Sequence, residues 1–197
     1  MVSLPGALRR IGRWGPGWLY AGGTRADRWR DPDVVVRALA LADGDRVADL
    51  GAGYGTFTGR LARAVAPSGV VYAVDADPEL LERIGRLARQ AQLANVVTVA
   101  AGDRLALPEP VDLVFASAVF HHLPEQGPYF AAAREQLRPG GRVAILESRR
   151  SGLLRRYFPH GTPPGALLAT MAAAGYDLVT EADLVRGHLF AVFAPRL

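Results

Sequence analysis

Cysteine is absent from the 197 residues, which removes disulfides, thiolate zinc sites and every mechanism that needs a sulfur nucleophile. Lysine is absent too: all 23 basic side chains are arginine, so no phosphate-binding loop ending in Gly-Lys-Ser/Thr exists. Histidine is scarce, at His121, His122, His160 and His188. Only the first two are adjacent, no metal-ligand spacing appears, and no metal is expected. No apolar run approaches the ~20 residues of a membrane span. Near the N-terminus, Arg9, Arg10 and Arg13 interrupt the apolar residues, so no continuous signal-peptide core forms, and a soluble cytoplasmic protein is expected. The net charge of +4 does not by itself establish a nucleic-acid partner.

What is present is an alternation. Short β-branched runs at 46–51, 70–75, 96–101, 111–116 and 142–147 are apolar nearly throughout, the pattern of parallel strands covered on both faces. Helical patterns lie between them. Asp77 and Pro78 make an N-cap and first position, followed by Leu80, Ile84, Leu87 and Ala91. Phe57, Leu61 and Val65 recur over 56–66, and a third helix covers 127–138 until Pro139-Gly140-Gly141 stops it. After Glu147 come an arginine-rich loop, a helix at about 164–174 and strands at 176–184 and 188–195. These strands, separated by a few residues around Gly187, predict an antiparallel hairpin. The pattern predicts an α/β, doubly wound, Rossmann-like seven-stranded sheet, mostly parallel with an antiparallel C-terminal hairpin. Residues 31–197 form one domain in this reading, preceded by a segment 1–30.

The stretch 47-VADLGAGYGTFTGRLA-62 places a glycine turn after the first strand. The dinucleotide fingerprint G-x-G-x-x-G/A fails in both frames: one puts Thr56 in the third glycine's place, the other Thr58. Asp49 stands two residues before the first glycine. A pyrophosphate has little use for a carboxylate there, because the two anions repel. A cationic, amine-bearing ligand tolerates or prefers it, and S-adenosylmethionine, with an ammonium and a sulfonium but no phosphate, is one.

From about Arg46 to Ser148 the chain resembles the class I S-adenosylmethionine-dependent methyltransferases, in particular the small-molecule, type 11-like branch. VADLGAGYG is similar to that family's motif I, VYAVDADPEL to motif II, AAGD at 100–103 to motif III, DLVFASAVFHHL at 112–123 to motif IV, and LRPGGRVAILE at 137–147 to its strand 5 signature. The resemblance implies S-adenosylmethionine as cofactor and assigns roles by position. Gly51, Ala52 and Gly53 would pass under the methionine and ribose. Asp49 would help hold the ammonium, Asp75 the ribose hydroxyls, and Ala76 and Asp77 would border the adenine, although Asp77 is also a plain helix cap. Asp103, with the Arg104 backbone, would take the adenine amino group. Ala116 and Ser117 would lie by the methionine end, facing the acceptor.

Methyl transfer is an in-line displacement, so positioning is the main task. A hydroxyl or carbon acid also needs a base, for which His121 and His122 are the candidates. The absent cysteines argue against cytosine C5 and arsenite methylation, and ASAVFHH against amino-directed DNA methylation. A small-molecule acceptor, anionic or partly apolar, is expected, either alone or partly enclosed by a second subunit of a homodimer. The alternatives are an RNA methyltransferase, docking through Arg149, Arg150, Arg155 and Arg156 with Tyr157 and Phe158, and a non-catalytic cofactor-binding partner protein. Residues 1–30 read as a lid in which Tyr20, Arg25 and Arg28 meet the methionine carboxylate, or as a weak basic amphipathic stretch touching membrane.

Overall fold

A computed structural model describes residues 31–149 and 161–196. In chain order it contains α1 (Pro32–Ala38), β1 (Arg46–Leu50), α2 (Thr58–Ala64), β2 (Val70–Asp75), α3 (Pro78–Gln90), β3 (Val96–Ala100), β4 (Val111–Ser117), α4 (Gln126–Ala133), β5 (Leu137–Ser148), α5 (Pro164–Ala173), β6 (Tyr176–Ala182) and β7 (His188–Pro195). Short 3-10 turns at Phe120–His122 and Arg134–Gln136 flank α4. The lid reading of 1–30, with Tyr20, Arg25 and Arg28, falls outside the described residues, as do Arg150, Arg155, Arg156, Tyr157 and Phe158. Among the described residues, no helix is long and apolar enough to cross a membrane.

The strands form one seven-stranded sheet in the order β3-β2-β1-β4-β5-β7-β6. The first five strands run parallel, and β7 is antiparallel to both its neighbours. The strand order reverses between β1 and β4, and the loops leaving those two strands diverge into a crevice at the sheet's carboxyl edge. The apolar runs of β1, β2, β4 and β5 supply both faces. Leu50, Val74, Val114 and Ile145 pack with Phe130 on one side, and Val47, Leu113 and Phe115 pack with Phe57 and Leu61 on the other. Phe57 meets Phe115 edge-on at 4.9 Å. Burying each such side chain stabilises the fold by roughly 1.5–3 kcal/mol, so the crevice sits on a rigid base.

Three local expectations are corrected. The third strand is not covered on both faces: β3 is the sheet's edge, and Val97 is exposed. The buried face of α3 is carried by Ile84 and Ala88, while Leu87 and Ala91 are exposed. Leu87 and Ala91 line a groove that separates the helix from α1 and α2, so neither packs fully against a neighbour. Finally, β5 begins at Leu137 rather than at Arg142. Val111 pairs with Leu137 and Leu113 with Arg142, so Pro139-Gly140-Gly141 forms an irregularity inside the ladder instead of a break before it.

The Asp77 cap is as expected, accepting a hydrogen bond from Glu79 N at 2.9 Å. At the opposite edge, β6 carries an extra residue. Leu178 pairs with Phe193 and Thr180 with Val192, which makes Val179, 62% exposed, a bulge.

Candidate active site

Three turns converge at the crevice. After β1 the glycine turn runs with Gly51 at φ +69 and Gly53 at φ +54, a backbone that side chains rarely adopt. The Gly51 and Ala52 N–H groups both donate to Val74 O, at 2.8 and 3.0 Å, tying the turn to β2. Val119, in the loop after β4, presses against it: a Cβ on Gly51 would sit 2.5 Å from Val119 Cγ2. The preceding residue, Ala118, has φ 52 and donates its N–H to Leu146 O at 2.8 Å. A non-glycine residue held in the left-handed region at a strand end is a local strain that the surroundings must enforce.

Two carboxylates lie beneath this backbone. Asp75, at the end of β2, accepts from Gly53 N at 2.8 Å through Oδ2 and from Asp77 N at 3.0 Å through Oδ1. It therefore links the motif I turn to the start of α3. Burial pushes its carboxyl above the usual range, opposed by the Asp77 and Gly53 N–H groups. Asp49, only 2% exposed, accepts from the Thr58 hydroxyl at 2.6 Å. Thr58 thus has a definite task where a dinucleotide fold would place its third glycine. Burial pushes the Asp49 carboxyl up to about 7, with the Thr58 hydrogen bond working against the rise and the Asp75 charge adding to it.

A raised native pKa means that the folded state binds the proton more tightly than the unfolded chain does. This contribution to stability is fully present below the unfolded carboxyl's pKa, near 3.8, and is lost as pH rises through about 7. Asp49→Asn should therefore stabilise the ligand-free protein above about pH 7, by an amount on the order of a few kcal/mol, and bring little gain near pH 4. Thermal unfolding of both proteins at the two pH values checks this. An equal gain at both would show that Asp49 is not protonated on folding.

The remaining expected residues are distributed unevenly. Gly51, Asp75 and Ala76 line a narrow cleft with Gly102, Val119 and Tyr129, and Asp103 lines an adjoining cavity of about 340 Å³ with Leu123 and Tyr129. Arg104 is exposed beside it, and Ala52 is buried in the turn. Ala116 is wholly buried, its methyl in the core with Leu50 and Phe120. Ser117, half-buried at the end of β4, has a hydroxyl with no hydrogen-bond partner among the described residues. A larger groove of about 780 Å³ runs between α1, α2 and α3. Asp75 and the glycine turn border the smaller cleft and not this groove, and neither is lined by Asp49 or the histidines.

His121 and His122 lie with ring centroids 4.0 Å apart, tilted by 40° to each other, in the turn after β4. His121 Nδ1 lies 2.9 Å from Glu147 Oε1, across the β4–β5 junction. Arg149, the described part of the arginine loop, is ion-paired with Asp183 at 2.6 Å. Two residues were missed in the sequence. Glu147 closes an apolar strand at the same sheet edge as Asp49 and Asp75, which was a usable signal. Tyr129 gave none. It is 6% exposed, its hydroxyl has no hydrogen-bond partner among the described residues, and burial pushes its pKa up.

A sheet of this order, with an antiparallel strand inserted next to β5 and the glycine turn at its reversal, is the class I methyltransferase fold. The methyltransferase-domain family matches residues 41–173, and the chain belongs to it. The chain is 32% identical over 160 residues to the 27-O-demethylrifamycin SV methyltransferase of Amycolatopsis mediterranei, a match covering 80% of this chain and 56% of that one. It is 40% identical over 127 residues to the trans-aconitate 2-methyltransferase of Azoarcus sp., covering 64% and 46% respectively. The chain thus spans about half the length of these relatives. A solved S-adenosylmethionine-dependent methyltransferase from Aquifex aeolicus shares the fold at a TM-score of 0.77 with 22% identity, over 94% of this chain and 100% of that one.

Proposed function

We propose that this chain binds S-adenosylmethionine and transfers its methyl group to a small-molecule acceptor. The observation that carries the reading is Asp75. Both its oxygens accept from turn N–H groups, yet each keeps a further lone pair for a ribose hydroxyl, and the residue lines the cleft under Gly51. The cofactor's fit is supported twice over. The cleft backbone has the close approach that a Cβ at Gly51 would destroy, and Tyr129 brings a buried hydroxyl that lacks a partner among the described residues. When bound, the cofactor supplies an electrophilic methyl group on a sulfonium.

The chain's own residues do the rest. Asp75 holds the ribose, and Ala76 and Asp103 border the adenine side. Asp49 sets a negative charge under the methionine end through the Gly51–Gly53 backbone, and a bound ammonium would draw it towards its ionised form. The small-molecule acceptor is supported by the relatives that methylate a rifamycin and an aconitate. Docking of RNA on the arginine loop loses support, because Arg149 is already engaged by Asp183. Calorimetric titration with S-adenosylmethionine, S-adenosylhomocysteine and NADH tests the cofactor. The first two should bind and NADH should not; binding of NADH alone would overturn the reading.

Tyr129→Phe separates binding from folding. Removing a buried hydroxyl that has no partner among the described residues should leave the ligand-free protein as stable as before, or more stable by about 1 kcal/mol. Affinity for S-adenosylhomocysteine should meanwhile fall roughly fivefold, the worth of one neutral hydrogen bond. Unchanged affinity would show that the hydroxyl does not meet the cofactor.

A further inference from the structure

We infer that β3 is a dimer interface: a second copy of this chain adds its own β3 antiparallel to the first, extending the sheet across a two-fold axis at Thr98. The inference goes beyond the methyl-transfer reading and does not depend on it. Val71 N donates to Asn95 O at 2.9 Å, and Ala101 N donates to Asp75 O at 2.8 Å. Those bonds fix both ends of the β2–β3 ladder, whose register runs unbroken from Val96 to Ala100. Alternate residues of a parallel ladder turn inward, so Val97 and Val99 serve β2. The N–H and C=O groups of Val96, Thr98 and Ala100 therefore point away from the sheet, and no strand lies beyond them among the described residues.

This row complements itself. Turned about Thr98, Val96 meets the partner's Ala100, Thr98 meets the partner's Thr98, and Ala100 meets the partner's Val96. Each of these pairs can exchange both of its N–H···O bonds. Between them Val97 meets the partner's Val99, which covers an exposed apolar side chain. No charged residue and no proline falls within Val96–Ala100, so no donor is missing and nothing repels an incoming strand. The β6 edge is different, being bulged at Val179 and carrying Asp177 and Glu181.

The helix above the strand fits the same axis. Ile84 of α3 packs with Ala73 of β2 and Val96 of β3, which seats the helix over that strand pair. With strands ~4.8 Å apart, such a helix stands roughly 10 Å from its symmetry mate, an ordinary helix-packing distance. The two helices run antiparallel there. Exposed Glu79 and Glu82, in the first half of one, lie alongside exposed Arg86 and Arg89, in the second half of the other. Glu82 and Arg86 also pair within the helix. The antiparallel arrangement thus brings unlike charges together and opposes the helix dipoles. Because β4 and β5 lie further into the sheet, the second copy leaves the crevice open instead of enclosing the acceptor.

Sedimentation equilibrium of the full chain, without cofactor, tests the interface. The wild type should sediment as a dimer of the 21.1 kDa chain at micromolar concentration. A monomer throughout that range would overturn the proposal. Thr98→Lys, at an exposed position, sets like charges opposite each other on the axis and should weaken the dimer roughly 100-fold. Thr98→Pro removes a donor that faces away from β2, so the ladder keeps its bonds and the protein should stay folded as a monomer. Thr98→Val keeps every backbone bond and should leave the dimer intact. Val179→Lys, on the opposite edge, should have no effect. A dimer that survives Thr98→Lys, or that falls to Val179→Lys, would overturn the proposal. Denaturant unfolding establishes that each variant is folded; should Thr98→Pro fail to fold, Thr98→Lys decides.

Discussion

Gly51→Ala should abolish measurable cofactor binding. At φ +69 an alanine already costs about 1–2 kcal/mol of backbone strain. Its Cβ would also lie 2.5 Å from Val119 Cγ2 and 2.6 Å from Val119 Cβ. Val119 cannot give way cheaply: it is buried, and it follows Ala118, whose left-handed backbone is fixed to Leu146 O. Relief therefore requires moving the turn itself, which is the surface proposed to lie under the methionine and ribose. We expect a loss of roughly 100-fold or more in S-adenosylhomocysteine affinity together with about 2–4 kcal/mol of stability. Calorimetry and denaturant unfolding measure the two. Gly53→Ala is the comparison, since its Cβ would find nothing nearer than Gly51 O at 3.8 Å, leaving only the backbone strain. Equal losses in the two variants would mean that the Val119 contact has no part in shaping the cleft.

Asp75→Ala should weaken cofactor binding by roughly 10²- to 10³-fold while changing the stability of the ligand-free protein far less. Hydrogen bonds to a charged acceptor are worth about 1.5–3 kcal/mol each, and the ribose hydroxyls would lose theirs outright. Gly53 N and Asp77 N lose their acceptor as well, which loosens the turn and the start of α3 together. The folded protein is in turn relieved of a buried carboxyl whose pKa burial has already raised, so the two effects on stability oppose each other. Should unfolding suffer as much as binding, Asp75 would be a structural strut of the turn rather than a ligand group.

The elements that local chemistry dictates were legible in advance. The strand at 70–75, the Asp77 cap and the 188–195 strand coincide with β2, the start of α3 and β7, because each is fixed by its own residues. The errors share a different origin. Nothing within β3 records that no strand lies beyond it, and nothing within α3 records that a groove separates its Leu87 and Ala91 side from α1 and α2. The carboxylates proposed for the site, Asp49, Asp75 and Asp103, were picked out because motif spacing marks them. The Asp49–Thr58 and His121–Glu147 pairs were not, since they join residues 9 and 26 positions apart through strand register, which the sequence does not display. Tyr129 was hidden for the converse reason. A tyrosine on an apolar helix reads as core until the surroundings of its hydroxyl are known.

The bulge at Val179 has a bearing on how the chain behaves before and between its working states. An outermost strand offers a row of unpaired donors and acceptors on which another chain can grow. Leu178 and Val179, both exposed on β6, would make such a row adhesive as well. The extra residue at Val179 breaks its periodicity and increases its twist, so an incoming strand finds no continuous template to copy. The irregularity is a guard against self-templated aggregation, placed where the sheet ends.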